Sequence, residues 1–187
     1  MTPRTDSRQR FIDAAADLFH TRGYHATGLN QLVSAGGAPK GSLYFHFPGG
    51  KEQLAAEALG QSSRKLNAIL AAALEHGDID AVFDLLATTL TESGFERACP
   101  LASVALDATD SEPIRTACAD GFESWRITIA DFLRAKGIDA ERTEHLSTVA
   151  LAMLEGALLL AKTTRDIAPL RAVADHLRTL LDQELSR

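Results

Sequence analysis

Apolar residues recur along the chain at three- and four-residue steps, the mark of helices that bury one face. Phe11, Ile12, Ala15, Leu18 and Phe19 form the first stripe, with Asp6 or Ser7 as its cap and Gly23 at its end. Residues 1–5 ahead of it, Arg4 among them, are expected to be loose. Tyr24 follows, its ring expected to pack beneath the next two helices. Leu29, Leu32 and Val33 make a second, short stripe, opened by Thr27 as a candidate N-cap and closed by Gly36 and Gly37. Pro39 suits the first turn of a third helix, where no N–H is needed. In that helix Leu43, Phe45 and Phe47 are read as apolar anchors, leaving Lys40, Ser42, Tyr44 and His46 to point outward.

A long fourth helix is expected from Gly50 to about Leu74, with Asp78 or Asp80 capping a fifth that buries Val82, Phe83, Leu86 and Leu90. Cys99 and Pro100 open a short sixth helix. Pro113 sits in the first turn of a seventh, whose 3.6-like period runs to Gly137. Asp139 caps an eighth over residues 140–164, in which Gly156 and Ala157 allow close approach of a neighbour. Leu170, Val173, Leu177, Leu181 and Leu185 mark the last. No segment alternates as a strand would, so the fold class is all-α with about nine helices. Residues 1–50 are expected to form a small head and residues 51–187 a larger helical domain.

Helix, tight turn and helix, with small and cationic residues opening the second helix, is the form of a DNA-binding helix-turn-helix. The bland alternative is a helical hairpin with a solvated polar face. The net charge of −6 argues against nucleic acid, but its distribution does not. Through Lys51 there are six Arg and Lys against three Asp, so the head carries +3 and the remainder −9. A cationic head still meets phosphate locally, because salt screens charges beyond about 10 Å. The amino end of the third helix offers N–H groups to a phosphate, Gly41 permits close approach, and Lys40 and Ser42 are candidates for base edges or nearby phosphates in the major groove.

The run KGSLYFHF, followed by a glycine-bearing corner and KEQL, resembles the end of the DNA-binding domain of the TetR family of bacterial repressors. RFIDAAADLFHTRGYHATGLNQLVSAGG resembles that family's first two helices. Pro39 stands where Ser or Thr is usual, and the corner Pro48-Gly49-Gly50 is a residue longer than usual. With CPLASVALD, these features resemble the LmrA/YxaF-like branch. The resemblance implies phosphate contacts from Thr27, Tyr44, His46 and Lys51. It also implies a homodimer on a palindromic double-stranded DNA operator, paired through the last two helices, and a small hydrophobic or aromatic effector that releases it.

Leu158, Leu177 and Leu181 are candidates for the dimer interface, or alternatively for the subunit's own core. Phe83, Leu86, Phe95, Phe122, Trp125, Met153 and Glu155 are candidates for an effector pocket; each is equally an ordinary core residue, and Glu155 alternatively a buried, paired acid that fixes packing. Cys99 and Cys118 read as small core thiols or as a redox pair. The six histidines lack metal-ligand spacing, and no catalytic grouping is visible, so neither cofactor, metal nor enzyme activity is expected. The apolar run 149–161 is too short to span a bilayer and contains Glu155, and no run resembles a signal peptide. A cytoplasmic protein without membrane partners is expected.

Overall fold

A computed structural model describes residues 4–77, 79–108 and 110–186, with side chains from Ser7 onward. The described residues form nine helices and no strand: α1 (Arg4–Arg22), α2 (Leu29–Gly36), α3 (Lys40–His46), α4 (Gly50–Glu75), α5 (Ile79–Glu92), α6 (Pro100–Ala105), α7 (Glu112–Ala135), α8 (Ala140–Thr164) and α9 (Ala168–Leu185). The all-α expectation holds. Two compact units emerge, one of Met1–Arg64 with Pro100–Phe122, the other of Lys65–Cys99 with Glu123–Arg187. These units follow a different line from the division expected near Lys51, because α6 packs on α1.

In the first unit, Phe11, Phe19, Leu32, Leu43, Phe47 and Leu54 are fully buried and join α1 to the three helices after it. Phe11 meets Phe47 edge-on at 6.4 Å. A Cβ on Gly36 would lie 2.4 Å from Phe11, so only glycine lets α2 sit this close to α1. Gly37 takes the left-handed backbone (φ 58°) that ends α2. A Cβ on Gly121 of α7 would fall 2.6 Å from Leu101 and 2.8 Å from Ser63, so α6 and α4 close on α7 in the same way.

The second unit packs α8 on α9 and α5 on α9. Asp139 caps α8 as expected, its carboxylate accepting from the Arg142 N–H at 3.0 Å. Ion pairs join its helices: Arg142 with the nearly buried Glu184, Arg126 with Glu123 and Glu144, and Arg178 with Asp80 and Asp175. Thr128 of α7 donates to Asn67 of α4 at 2.8 Å. By length and composition α8 is apolar enough to cross a bilayer, with a mean hydropathy of 1.4 over its most apolar window. It nevertheless carries Glu155 and packs along α9.

Several local expectations are corrected. α1 already begins at Arg4, so Asp6 and Ser7 lie within it rather than capping it. The Arg4 side chain and Asp78 fall outside the described residues, and Asp80 lies inside the first turn of α5. Pro39 is the N-cap of α3, not part of its first turn. Gly28, not Thr27, caps α2, and its N–H is met by Gln31 Oε1 at 2.8 Å. Phe45 is no anchor: it is 63% exposed. Leu43 and Phe47 are four residues apart and share a face, whereas Phe45 is turned by about 200° from each.

Candidate DNA-binding site

α3 is held from below by Leu43 and Phe47, both fully buried. The side of α3 opposite Leu43 is therefore the side presented outward. Gly41 and Phe45 occupy its crest, each about 200° round from Leu43. A Cβ on Gly41 would meet nothing within 4 Å. Lys40 and Tyr44 flank the crest on one side and are exposed. Ser42 and His46 flank it on the other and are half-buried. The structure thus brings five of the residues predicted for DNA contact onto α3, around Phe45, which faces outward rather than inward.

The flanks are oriented from within the same unit. His46 Nε2 lies 2.8 Å from Ser7 Oγ of α1, and the His46 ring meets Phe45 at 5.1 Å and 77°. Arg8 pairs with Glu57 of α4 and lies over the Phe47 ring at 5.4 Å. The ring fixes and the ion pair together hold α1, α3 and the start of α4 in one geometry.

Two of the predicted contacts are placed differently. Thr27 is fully buried; its hydroxyl donates to the Gly23 carbonyl at 2.8 Å and to that of Leu18 at 3.3 Å. That hydroxyl ties the end of α1 to the start of α2. Lys51 Nζ donates to the Tyr24 carbonyl at 2.6 Å and sits 4.0 Å over the Tyr24 ring. Burial lowers the Lys51 pKa, and Asp107 partly offsets this. The geometry makes both residues braces of the α1–α2 corner.

In the second unit an apolar cavity of about 80 Å³ lies among α4, α5, α7, α8 and α9. Phe83, Phe132, Leu154, Leu177 and Leu181 are on its wall. Of the seven predicted pocket residues only Phe83 lines this cavity; Leu86, Phe95, Phe122, Trp125, Met153 and Glu155 do not. Both Glu155 carboxylate oxygens are enclosed and neither meets a hydrogen bond of normal geometry. Burial pushes the carboxyl up to about 7, and the Cys99 thiol works against that shift. Cys118 is also buried, and burial pushes its thiol up to about 11, which disfavours a reactive thiolate.

Leu158 is only 3% exposed within its own subunit, while Leu177 and Leu181 face the cavity. Leu158 thus offers almost no surface to a second copy, whereas Leu177 and Leu181 are half-buried. The exposed apolar area on α8 belongs instead to Leu159 and Leu160, at 57% and 56%. With Ala152, Gly156 and Thr163 they make a continuous exposed strip at helical spacing. The one-residue step from Leu158 to Leu159 is the signal that sequence spacing blurred.

Residues 76–176 match the family described as "Transcriptional regulator LmrA/YxaF-like, C-terminal domain", and residues 11–58 match "Bacterial regulatory proteins, tetR family". The chain belongs to the TetR family. Within it, this TetR-family member is 36% identical over 187 residues to an uncharacterized HTH-type transcriptional regulator, YxaF, of Bacillus subtilis, covering 97% of this chain and 98% of that one. It is 36% identical over 182 residues to the HTH-type transcriptional regulator LmrA of the same organism, covering 94% and 97%. A TetR transcriptional regulator from Chloroflexus aurantiacus superposes with a TM-score of 0.77 at 28% identity, covering 98% of each chain. The TetR-family chain is accordingly a DNA-binding helix-turn-helix transcriptional regulator and not an enzyme.

Proposed function

We propose that the protein is a cytoplasmic, ligand-responsive repressor that grips a palindromic operator as a homodimer. The observation that carries this reading is the outward crest of α3, flanked by Lys40 and Tyr44 and braced by buried Leu43 and Phe47. One such helix reads only a few base pairs, so useful specificity needs two copies a helical turn, or a multiple of it, apart. Residues 1–50 act as the head, and Lys40, Gly41, Ser42, Tyr44 and His46 contact the duplex. Residues 51–187 bind effector and dimerise, with the Leu159 and Leu160 strip of α8 meeting its symmetry mate.

The apolar cavity walled by Phe83, Phe132 and Leu154 supports a small hydrophobic or aromatic effector. At about 80 Å³ it is smaller than the clefts that hold drug-sized molecules, which run to roughly 300–1,000 Å³. The effector therefore selects a state in which the cavity is wider. It releases DNA only in so far as it binds that state more tightly than the DNA-binding one. The target is a gene near its own, such as an exporter or enzyme gene.

Binding of full-length Lys40→Ala and Tyr44→Ala variants to DNA from upstream of the protein's own gene tests the assignment. Both variants should lose operator binding yet remain folded dimers. Tight binding retained by both sinks the reading.

A further inference from the structure

We propose that Phe45 reads the 5-methyl group of a thymine in each operator half-site, and so sets part of the sequence preference. The inference rests on the reading of α3 as the helix that enters the major groove. On that helix Phe45 shares the crest with Gly41, farthest from the buried Leu43. The flanking positions carry an ammonium, a hydroxyl, a phenol and an imidazole, all groups that hydrogen-bond to phosphate or base edges. A phenyl ring does neither. The apolar group that the floor of the major groove presents is the thymine methyl. Gly41, one turn away and open to solvent, adds no side chain to hold the helix off the floor.

The ring is also aimed. His46 meets it edge-on at 5.1 Å, and His46 is itself tied to Ser7 of α1 at 2.8 Å. The chain Ser7, His46, Phe45 thus orders an exposed aromatic side chain before any duplex arrives. His46 acts here as a positioning residue. A preordered ring loses little rotamer freedom on docking, which suits a contact that discriminates by shape.

The test uses the full-length protein and a randomised duplex pool, enriched in parallel by wild type and Phe45→Ala. Each winning duplex is then remade with deoxyuridine at its conserved thymines, one position at a time. For wild type, one symmetric thymine position should lose roughly fourfold in affinity per half-site when its methyl is removed. Phe45→Ala should enrich a motif without that thymine and should bind the thymine and deoxyuridine duplexes equally. Equal deoxyuridine penalties in wild type and variant overturn the proposal, as does an unchanged enriched motif. A ring that merely packs on His46 predicts that second pattern, with affinity lowered equally for every duplex. Failure of wild type to enrich any duplex instead overturns the DNA-binding reading itself, so the two failures are distinguishable.

Discussion

The Asp107 carboxylate accepts the His25 backbone N–H at 2.6 Å, across 82 residues of sequence. Asp107 follows α6, and His25 lies in the corner between α1 and α2, both in the same compact unit. The contact ties the segment after α6 to the entry of the helix-turn-helix. Asp107 also touches the place a Cβ would take on Gly23, whose φ of 79° already favours glycine.

Replacing Asp107 by Ala should therefore loosen the α1–α2 corner. A hydrogen bond from a backbone amide to a carboxylate contributes about 1 kcal/mol at a partly exposed site. The His25 amide should exchange faster with solvent and DNA affinity should fall several-fold, with the secondary structure intact. Unchanged exchange at His25 would show that the corner holds without this carboxylate.

Gly36 and Gly41 make opposite predictions, although they are only five residues apart. Gly36→Ala places a methyl 2.4 Å from Phe11 and should cost about 1–3 kcal/mol of stability. Gly41→Ala meets nothing within the chain and, inside a helix, should hold or slightly raise the melting temperature. Its methyl stands on the crest of α3, so operator affinity should drop. Thermal melts paired with binding titrations separate the two.

Neighbouring leucines of α8 should behave differently too. Leu160→Glu puts a charge on an exposed position and should yield a folded monomer with little operator affinity. Leu158→Glu puts a charge at a position 3% exposed and should destabilise the subunit itself. Sedimentation and circular dichroism distinguish the outcomes. A dimeric Leu160→Glu variant would move the proposed interface elsewhere.

Glu155 predicts a pH dependence of stability. Its folded pKa of about 7 exceeds the ordinary 4.5, chiefly through burial, so the folded state holds the proton more tightly than the unfolded chain does. Stability from this group is greatest below the unfolded pKa. It falls as pH rises through the window from about 4.5 to 7, and is level above. The full fall is at most about 3 kcal/mol. Denaturant melts at pH 5 and pH 8 should show this loss in wild type and a much flatter response in Glu155→Gln. Equal slopes would contradict the assignment of the shift to this carboxyl.

Much of the fold was legible because helix signals are local. Asp139 and the apolar period after it marked α8 at both ends, and Gly37 marked the end of α2. What failed was the direction of individual side chains. Phe45 reads as an anchor because Leu43, Phe45 and Phe47 alternate with Tyr44 and His46, yet a helix turns the middle one of the three outward. Lys51 and Thr27 read as phosphate contacts by resemblance, but their polar atoms are held by carbonyls brought near only by tertiary packing. Leu158 and Leu159 differ by a rotation of about 100° that no propensity distinguishes. The cavity was illegible for the same reason, since its wall draws on five helices.

Footprinting of the full-length protein on the region upstream of its own gene decides whether α3 is displayed twice along a duplex. The expected result is protection of an inverted repeat whose half-sites lie a helical turn, or a whole multiple of it, apart, with protection lost as salt is raised. Protection of a single unrepeated site, or none at low ionic strength on any duplex, would contradict it.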